Sequence, residues 1–390
     1  MIPLRYNLRS LAVRKATTIA TALGIGLVVF VLSASQMLAD GIRNTLGRAG
    51  EPDNAVVLRK GADNEMSSSL ETRVVNLILA APGVKRDAQG TPRGIGEITA
   101  VIALEKPNSG GQVSNVSVRG SPVEEMLKFR KRVRITAGRA PRPGADEAIV
   151  GTRLRGQFSG LDLGQQFELK KNLKLTVVGV FEAAGSSHES EIWCDIQLVR
   201  SAFGREGNLS SVTVQLTSPS KFDAFRAAME HDKQLGLATE REPKYYEKQS
   251  EGTATLVRFL GGAVVFFFSI GAIIGAMITM YAAVAHRRRE VGTLRALGFS
   301  RRTILSSFLL ESIVLALIGG AGGALGSLAM GMVKFSMMNF NSWSEITFSF
   351  DPSAGIVLGS LLAGGMMGVL GGLLPALRAA RTSPVEAMRD

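Results

Sequence analysis

Four stretches of this chain run for more than twenty residues with no charge or only one: 16–39, 258–285, 303–333 and 353–377. At about 1.5 Å of rise per residue, each is long enough as a helix to cross a hydrocarbon core of about 30 Å. Lipid leaves no partner for open backbone groups, so such runs must be helical. Their order is one, then a long interval from 40 to 257, then three in close succession. That order predicts an α-helical membrane protein with four transmembrane helices and one large soluble insertion between the first and second.

The composition agrees with a chain of two characters. Mean hydropathy is positive at +0.18, yet a fifth of the residues are charged. The net charge of +12 is spread through loops and the middle segment and forms no Lys/Arg tract. With no helix-turn-helix or zinc-knuckle pattern beside it, it argues against nucleic acid. Cys194 is the only cysteine, so an internal disulfide is excluded. His188, His231 and His286 lie far apart without metal-ligand spacing.

Loop charges set the expected orientation. Arg5, Arg9, Arg14 and Lys15 place residues 1–15 in the cytoplasm, and 16–39 is read as a retained span ending at Asp40–Gly41. Residues 40–257, with stalk-like ends, alternate short β-rich runs with Gly/Pro turns. Strands are expected at Asn54–Leu58, Glu97–Leu104, Val113–Val118, Phe167–Phe181 and Ser211–Leu216, and helices at Ser69–Ala81 and Ser220–His231. The turn-rich Arg139–Gly144 reads as a hinge between two lobes. This insertion is therefore an α+β extracytoplasmic domain. Residues 286–302 return to the cytoplasm, 334–352 form an outer loop with Trp343 at interface depth, and Asp351–Pro352 are expected to open the last span. Arg378, Arg381 and Arg389 keep 378–390 inside.

The cytoplasmic stretch from His286 to Thr303 holds more pattern than a topogenic loop needs. Arg287, Arg288, Arg289 and Glu290 open it, and Val291, Leu294 and Leu297 recur at helical spacing. Gly298 supplies a helix stop and Ser300 an N-cap for the next element. A short amphipathic helix lying at the membrane surface is expected there, as a docking element for another protein.

Within the spans, Gly271/Gly275, Gly319/Gly323, Gly322/Gly326 and Gly364/Gly368/Gly372 stand four apart, each set forming a smooth strip on one helix face. Packing inside one bundle is their expected use, with at least one strip left for a second copy of the chain. Glu311 is the one acid inside a span. A position about two turns from the basic end suits a structural carboxylate snorkelling toward Arg301 or Arg302 better than a proton relay. His188, Glu189, Glu191 and Cys194 form a polar cluster on a turn entering a strand, without a second ligand group nearby. No nucleotide-binding P-loop, nucleophile elbow or HExxH helix occurs, so neither catalysis nor metal binding is expected of this chain.

Several of these residues carry a family likeness. RRREVGTLRALGFSRRTI, from Arg287 to Ile304, resembles the signature loop of MacB/FtsX/LolC-LolE-type permeases, the type VII ABC transporters. Arg14–Lys15 with Thr21–Ile25 is similar to the first-span start of that family. Gly371–Arg389 resembles its characteristic ending, and Val177–Glu182 through Ile192–Trp193 its extracytoplasmic domain, the MacB-like periplasmic core.

The resemblance implies a non-catalytic permease subunit in the bacterial cytoplasmic (inner) membrane, with both termini cytoplasmic. Two ABC ATPase subunits would sit beneath it, beside a second permease chain, identical or different. A periplasmic adaptor and membrane lipids are further implied partners. ATP and Mg would be bound by the ATPase, with no cofactor on this chain. Unlike full MacB, the sequence shows no fused N-terminal ATPase, so a separate polypeptide is implied. Arg289, Glu290, Val291, Leu294, Arg295, Leu297 and Gly298 would form the coupling helix. In it the Val291/Leu294/Leu297 face would enter a groove on the ATPase, and Glu290 and Arg295 would fix its register by ion pairs. The implied function is ATP-driven export or extraction of a lipid, lipoprotein, peptide or drug. The alternative is FtsX-like mechanotransmission that regulates a cell-wall hydrolase without transport, against which the size of the 40–257 segment counts.

Overall fold

The computed structural model describes residues 15–107, 109–231 and 235–383. Arg5, Arg9 and Arg14, and the family-like tail beyond Ser383, lie outside the described residues. The chain divides into two units. One holds the chain up to Asp40, Thr255–Val333 and the chain from Phe350 on; the other holds Gly41–Ala254 and Lys334–Ser349.

Among the described residues, four helices are long and apolar enough to span a membrane: α1 (Lys15–Gly47), α6 (Glu242–His286), α8 (Arg301–Ala329) and α9 (Ala354–Arg381). The helical unit gives way to the second unit at Asp40–Gly41, where the span was expected to end, while helix α1 itself runs on to Gly47. One charge does not break a helix, and Asp40 is neutralised by Arg258 of α6 at 2.8 Å. Nor does Pro352 open the last helix. Ser353 is its N-cap, accepting the Ile356 amide at 3.3 Å, and the proline lies outside. Helix α6 is 45 residues long, far beyond what one bilayer crossing requires.

In the helical unit, α1, α8 and α9 meet through small residues. A side chain at Gly319 or Gly323 of α8 would strike the α1 backbone at Ala22 or Gly26. Gly364, Gly368 and Gly372 of α9 meet Val29, Ala316 and Ser312, and the Ser312 hydroxyl donates to the Gly368 carbonyl at 2.5 Å. A side chain at Gly271 or Gly275 of α6 would meet nothing within 4 Å. Both glycines line an apolar groove of about 450 Å³ between α1 and α6.

The second unit is built on β1 (Asn54–Arg59), β2 (Leu70–Glu71), α2 (Thr72–Ala80), β3 (Gly94–Glu105), β4 (Val113–Gly120), α3 (Val123–Phe129), β5 (Arg134–Gly138), β6 (Glu147–Gly151), β7 (Gln166–Lys170) and β8 (Leu173–Glu182). It continues through β9 (Glu191–Cys194), α4 (Ile196–Phe203), β10 (Asn208–Leu209), β11 (Ser211–Gln215), α5 (Phe222–His231) and β12 (Leu237–Arg241). Ten strands form one mixed sheet in the order β12-β1-β11-β3-β4-β9-β6-β8-β5, with β7 also on β8. The long β3–β4 ladder is antiparallel, whereas β4–β9 and β6–β8 are parallel.

One buried cluster, including Val118, Val150, Val177, Ile192, Val212 and Phe225, packs the helices onto this sheet. Ile95, Met126, Ile149, Phe181 and Trp193 form a second, in which the Phe181 and Trp193 rings stack at 4.3 Å. Arg139–Gly144 merely links β5 to β6, both of which pair with β8, so it is not a hinge between lobes. Phe167–Phe181 is two strands, β7 and β8, turning at Asn172, whose φ is 67°.

The outer loop is likewise not irregular. It is a hairpin of β13 (Lys334–Asn339) and β14 (Ser344–Ser349) that belongs to the second unit. Glu345 accepts from Lys106 at 2.8 Å and Ser114 at 2.5 Å, and Arg153 donates to the Thr347 carbonyl. Trp343 is in the turn of that hairpin, at φ 50°, and six strand residues separate the turn from each end.

Candidate functional site

The basic stretch folds as a separate short helix, α7 (Arg288–Ala296), between α6 and α8. Arg287, at φ −104° and ψ 16°, interrupts α6 and starts the new direction. Gly298 ends it with φ 95°, a left-handed conformation that a side chain would strain. The Phe299 amide reaches the Leu294 carbonyl at 3.1 Å and the Gly298 amide reaches Arg295 at 3.2 Å, the paired bonds of a Schellman stop. Ser300 then caps α8, accepting the Thr303 amide at 3.3 Å.

Side-chain chemistry fixes α7 to the bundle. Arg287 donates to Glu290 and to Glu311, each at 2.9 Å, and its guanidinium lies 5.1 Å from the Phe308 ring centre. Glu311 is almost wholly buried and bound to Arg287, so its partner is not Arg301 or Arg302 as expected. Arg287 can reach it because it stands at the bend, whereas Arg301 and Arg302 are exposed on the first turn of α8. Burial, and then the Glu311 charge, raise the Glu290 carboxyl above its ordinary pKa.

The expected docking face is divided. Val291 is 3% exposed and packs with Met280, Val284, Ile304, Phe308 and Ala376, so it points into the chain's own core. Leu294 is partly buried against the same cluster, while Leu297 is 72% exposed. The reason is the return of α8 beneath the helix, which covers the inner half of the apolar stripe. Neither Glu290 nor Arg295 stands free to fix a register. Glu290 pairs with Arg287, and Arg295 donates to the Phe299 carbonyl at 3.1 Å, bracing the Gly298 turn. From Arg288 to Leu297, the exposed residues are Arg288, Arg289, Thr293, Ala296 and Leu297.

The α+β unit holds a second arrangement that sequence reasoning missed. Arg119 of β4, 1% exposed, binds Glu191 through two bonds of 2.8 Å and Glu65 through bonds of 2.9 and 3.0 Å, and touches Glu97 at 3.3 Å. Arg130 joins Glu97 at 3.0 Å to Glu242 at 2.9 Å, and Glu242 also accepts from Asn54 at 2.8 Å. Glu242 is the first residue of α6, so the network fixes the root of that helix in the sheet domain. Burial opposes ionisation of Glu65 and Glu191, but Arg119 overcomes it and holds both carboxyls below the usual range, Glu191 the further. Charged residues at sheet positions where neighbours are buried, such as Glu97 and Arg119, were the available signal.

The polar cluster at 188–195 is structural. Glu189 caps the Ala183 and Gly185 amides and pairs with Arg153 at 3.1 Å. His188 lies within 3.4 Å of Glu191, and Asp195 caps α4. Cys194 is fully buried, which pushes its thiol well above the ordinary value. Among the described residues, no group of three or more metal-ligating side chains converges.

Comparison with known proteins matches both units. Residues 16–232, more than half the chain, match the MacB-like periplasmic core domain, and residues 262–384 match the FtsX-like permease C-terminal family. The ABC transporter permease YknZ of Bacillus subtilis (strain 168), described as uncharacterized, is 30% identical over 212 residues, covering 51% of this chain and 49% of YknZ. The macrolide export ATP-binding/permease protein MacB of Escherichia coli (strain K12) is 31% identical over 229 residues, covering 56% of this chain and 34% of MacB. The matched region is thus about half the length of one relative and a third of the other.

Solved structures of the YknZ extracellular domain and of the MacB periplasmic region from Actinobacillus actinomycetemcomitans also match. They cover 48% and 51% of this chain and 99% and 93% of their own, at 15% and 10% identity. Their TM-scores of 0.35 and 0.36 are too low to argue from. The two family matches carry the assignment: the chain belongs to the MacB/FtsX-type family of ABC transporter permeases, with four candidate membrane helices and a MacB-like periplasmic core domain.

Proposed function

We propose that this chain is the permease subunit of an ATP-driven exporter in the bacterial inner membrane, with both termini cytoplasmic and the sheet domain outside. ATP and Mg are bound and turned over by two copies of a separate P-loop ATPase, which grip α7 on a permease dimer. The observation that carries this reading is the bracing of α7. Val291 in the bundle core and the Arg287–Glu311 pair tie the short helix to α8, so a push on it moves the spans as a unit. Helix α6 runs from Glu242, within the buried network, to His286 beside α7, and in this reading it carries the motion toward the outer domain. No step of this cycle requires a pore or a reacting side chain. The cargo is a lipid, lipoprotein, peptide or drug, delivered with or without a periplasmic adaptor.

The divided stripe makes Leu297 the sharper test residue. Leu294→Asp would injure the bundle as well as the docking surface, whereas Leu297 contributes little to packing. Leu297→Asp is expected to preserve membrane insertion and the melting temperature while reducing ATPase co-purification and stimulated hydrolysis by roughly tenfold or more, because a charge would be buried at the contact. Unchanged ATPase binding by this variant would remove α7 from the interface. Cargo-stimulated hydrolysis in reconstituted vesicles separates export from the regulatory alternative, which predicts activation of a wall hydrolase and no cargo response.

A further inference from the structure

We infer that the basic end of the helical unit carries a binding site for the headgroup of a net-negative phospholipid. A concavity of about 650 Å³ opens there between the last turns of α6 and α9 and the first residue of α7. Arg288, Arg378 and Arg381 line it, with Tyr281 and Thr382. These are three guanidinium groups from two elements, Arg288 of α7 and Arg378 and Arg381 of α9, and among the described residues no acidic side chain lines the same hollow. Arg378 stands 5.8 Å from the centre of the Tyr281 ring, which orients its planar fork, and neither Arg378 nor Arg381 has a carboxylate partner among the described residues. Positive charge of this density attracts an anion, and guanidinium forks match phosphate oxygens in pairs.

The surroundings identify the anion as a lipid. The remaining wall is apolar, formed by Ala282, Val284 and Ala285 of α6, of which Ala282 and Ala285 are exposed. An acyl chain can leave the hollow along that strip while the phosphate stays at the guanidinium groups. Basic pockets between spans at this level are suited to acidic headgroups, at about 1 kcal/mol for each Lys or Arg near the surface. Ordinary topogenic charge does not account for the arrangement. Arg289, Arg301 and Arg302 supply that at the same end of the bundle and line no part of the hollow.

The test uses the full chain, purified in mild detergent, stripped of lipid and titrated with phosphatidylglycerol, diphosphatidylglycerol, phosphatidylcholine or inorganic phosphate, with bound species read by native mass spectrometry. The wild type is expected to retain the two anionic lipids at least tenfold better than phosphatidylcholine, and inorganic phosphate should not displace them at equal concentration. Arg378→Gln/Arg381→Gln should lose about tenfold in retention, Arg381→Gln alone less in the same direction, and Arg301→Gln/Arg302→Gln less than twofold. Equal loss in the Arg301/Arg302 variant would reduce the effect to diffuse charge and overturn the site. Equal retention of phosphatidylcholine, or displacement by inorganic phosphate, would overturn the lipid assignment. Unchanged lipid binding with lost ATPase co-purification in the Arg378/Arg381 variant would assign the hollow to a protein partner instead.

Discussion

Arg119 decides most at the residue scale. It neutralises carboxylates that could not otherwise remain charged inside a sheet domain, and removing one partner of a buried pair costs more than the pair contributes. Arg119→Met is expected to destabilise the domain by about 3–5 kcal/mol in denaturant melts, by stranding Glu65 and Glu191. Arg139→Gln, which breaks an exposed, solvent-screened pair with Glu147, should leave the melt close to that of the wild type. The pH dependence has a definite sign. Glu65 and Glu191 have depressed folded values, so the unfolded chain takes up protons first as pH falls below their ordinary value of 4.5. Stability from these groups is present above that pH and drains away below it. Thermal melts should be flat from neutrality to about pH 5 and fall steeply under pH 4; a melt insensitive to acid would refute the charged network.

At the element scale, the glycine strips divide into two kinds that sequence spacing does not distinguish. Gly319 and Gly323 face backbone, so Gly323→Val should separate α1 from α8 and lower the melting temperature of the detergent-solubilised chain sharply. Gly271→Ala, facing open space, should leave the melt unchanged within error. Equal effects of the two would contradict the packing described. The stop at Gly298 and the cap at Ser300 were legible because each depends on neighbours within four residues. The inward turn of Val291 was not, because it depends on α8 and α9 returning beneath α7. For the same reason Glu311 was assigned the basic residues nearest in sequence, when Arg287 at the bend is nearest in space. The β13–β14 hairpin was hidden by its shortness and by its setting between spans, although Glu345, Ile346, Thr347 and Phe348 alternate as a strand does.

At the scale of the whole molecule, the order of spans and the α+β insertion followed from the uncharged runs and turn spacing. The Arg119–Arg130 network did not, since its members are scattered from Glu65 to Glu242 and each looks like a surface charge until the sheet brings them together. That network and α7 stand at the two ends of one 45-residue helix. In the proposed function helix α6 would be the transmission element, with buried charges about its first residue and the bend at Arg287 after its last. The proposed function requires an ATPase to grip the outward face of α7. The most direct measurement places a photo-crosslinking amino acid at position 297 of the full chain in membranes, irradiates, and identifies the adduct by mass spectrometry. The predicted result is a crosslink to a P-loop ATPase, lost when the probe is moved to the buried position 291. Adducts to lipid or to the chain itself alone, with the ATPase present, would contradict it.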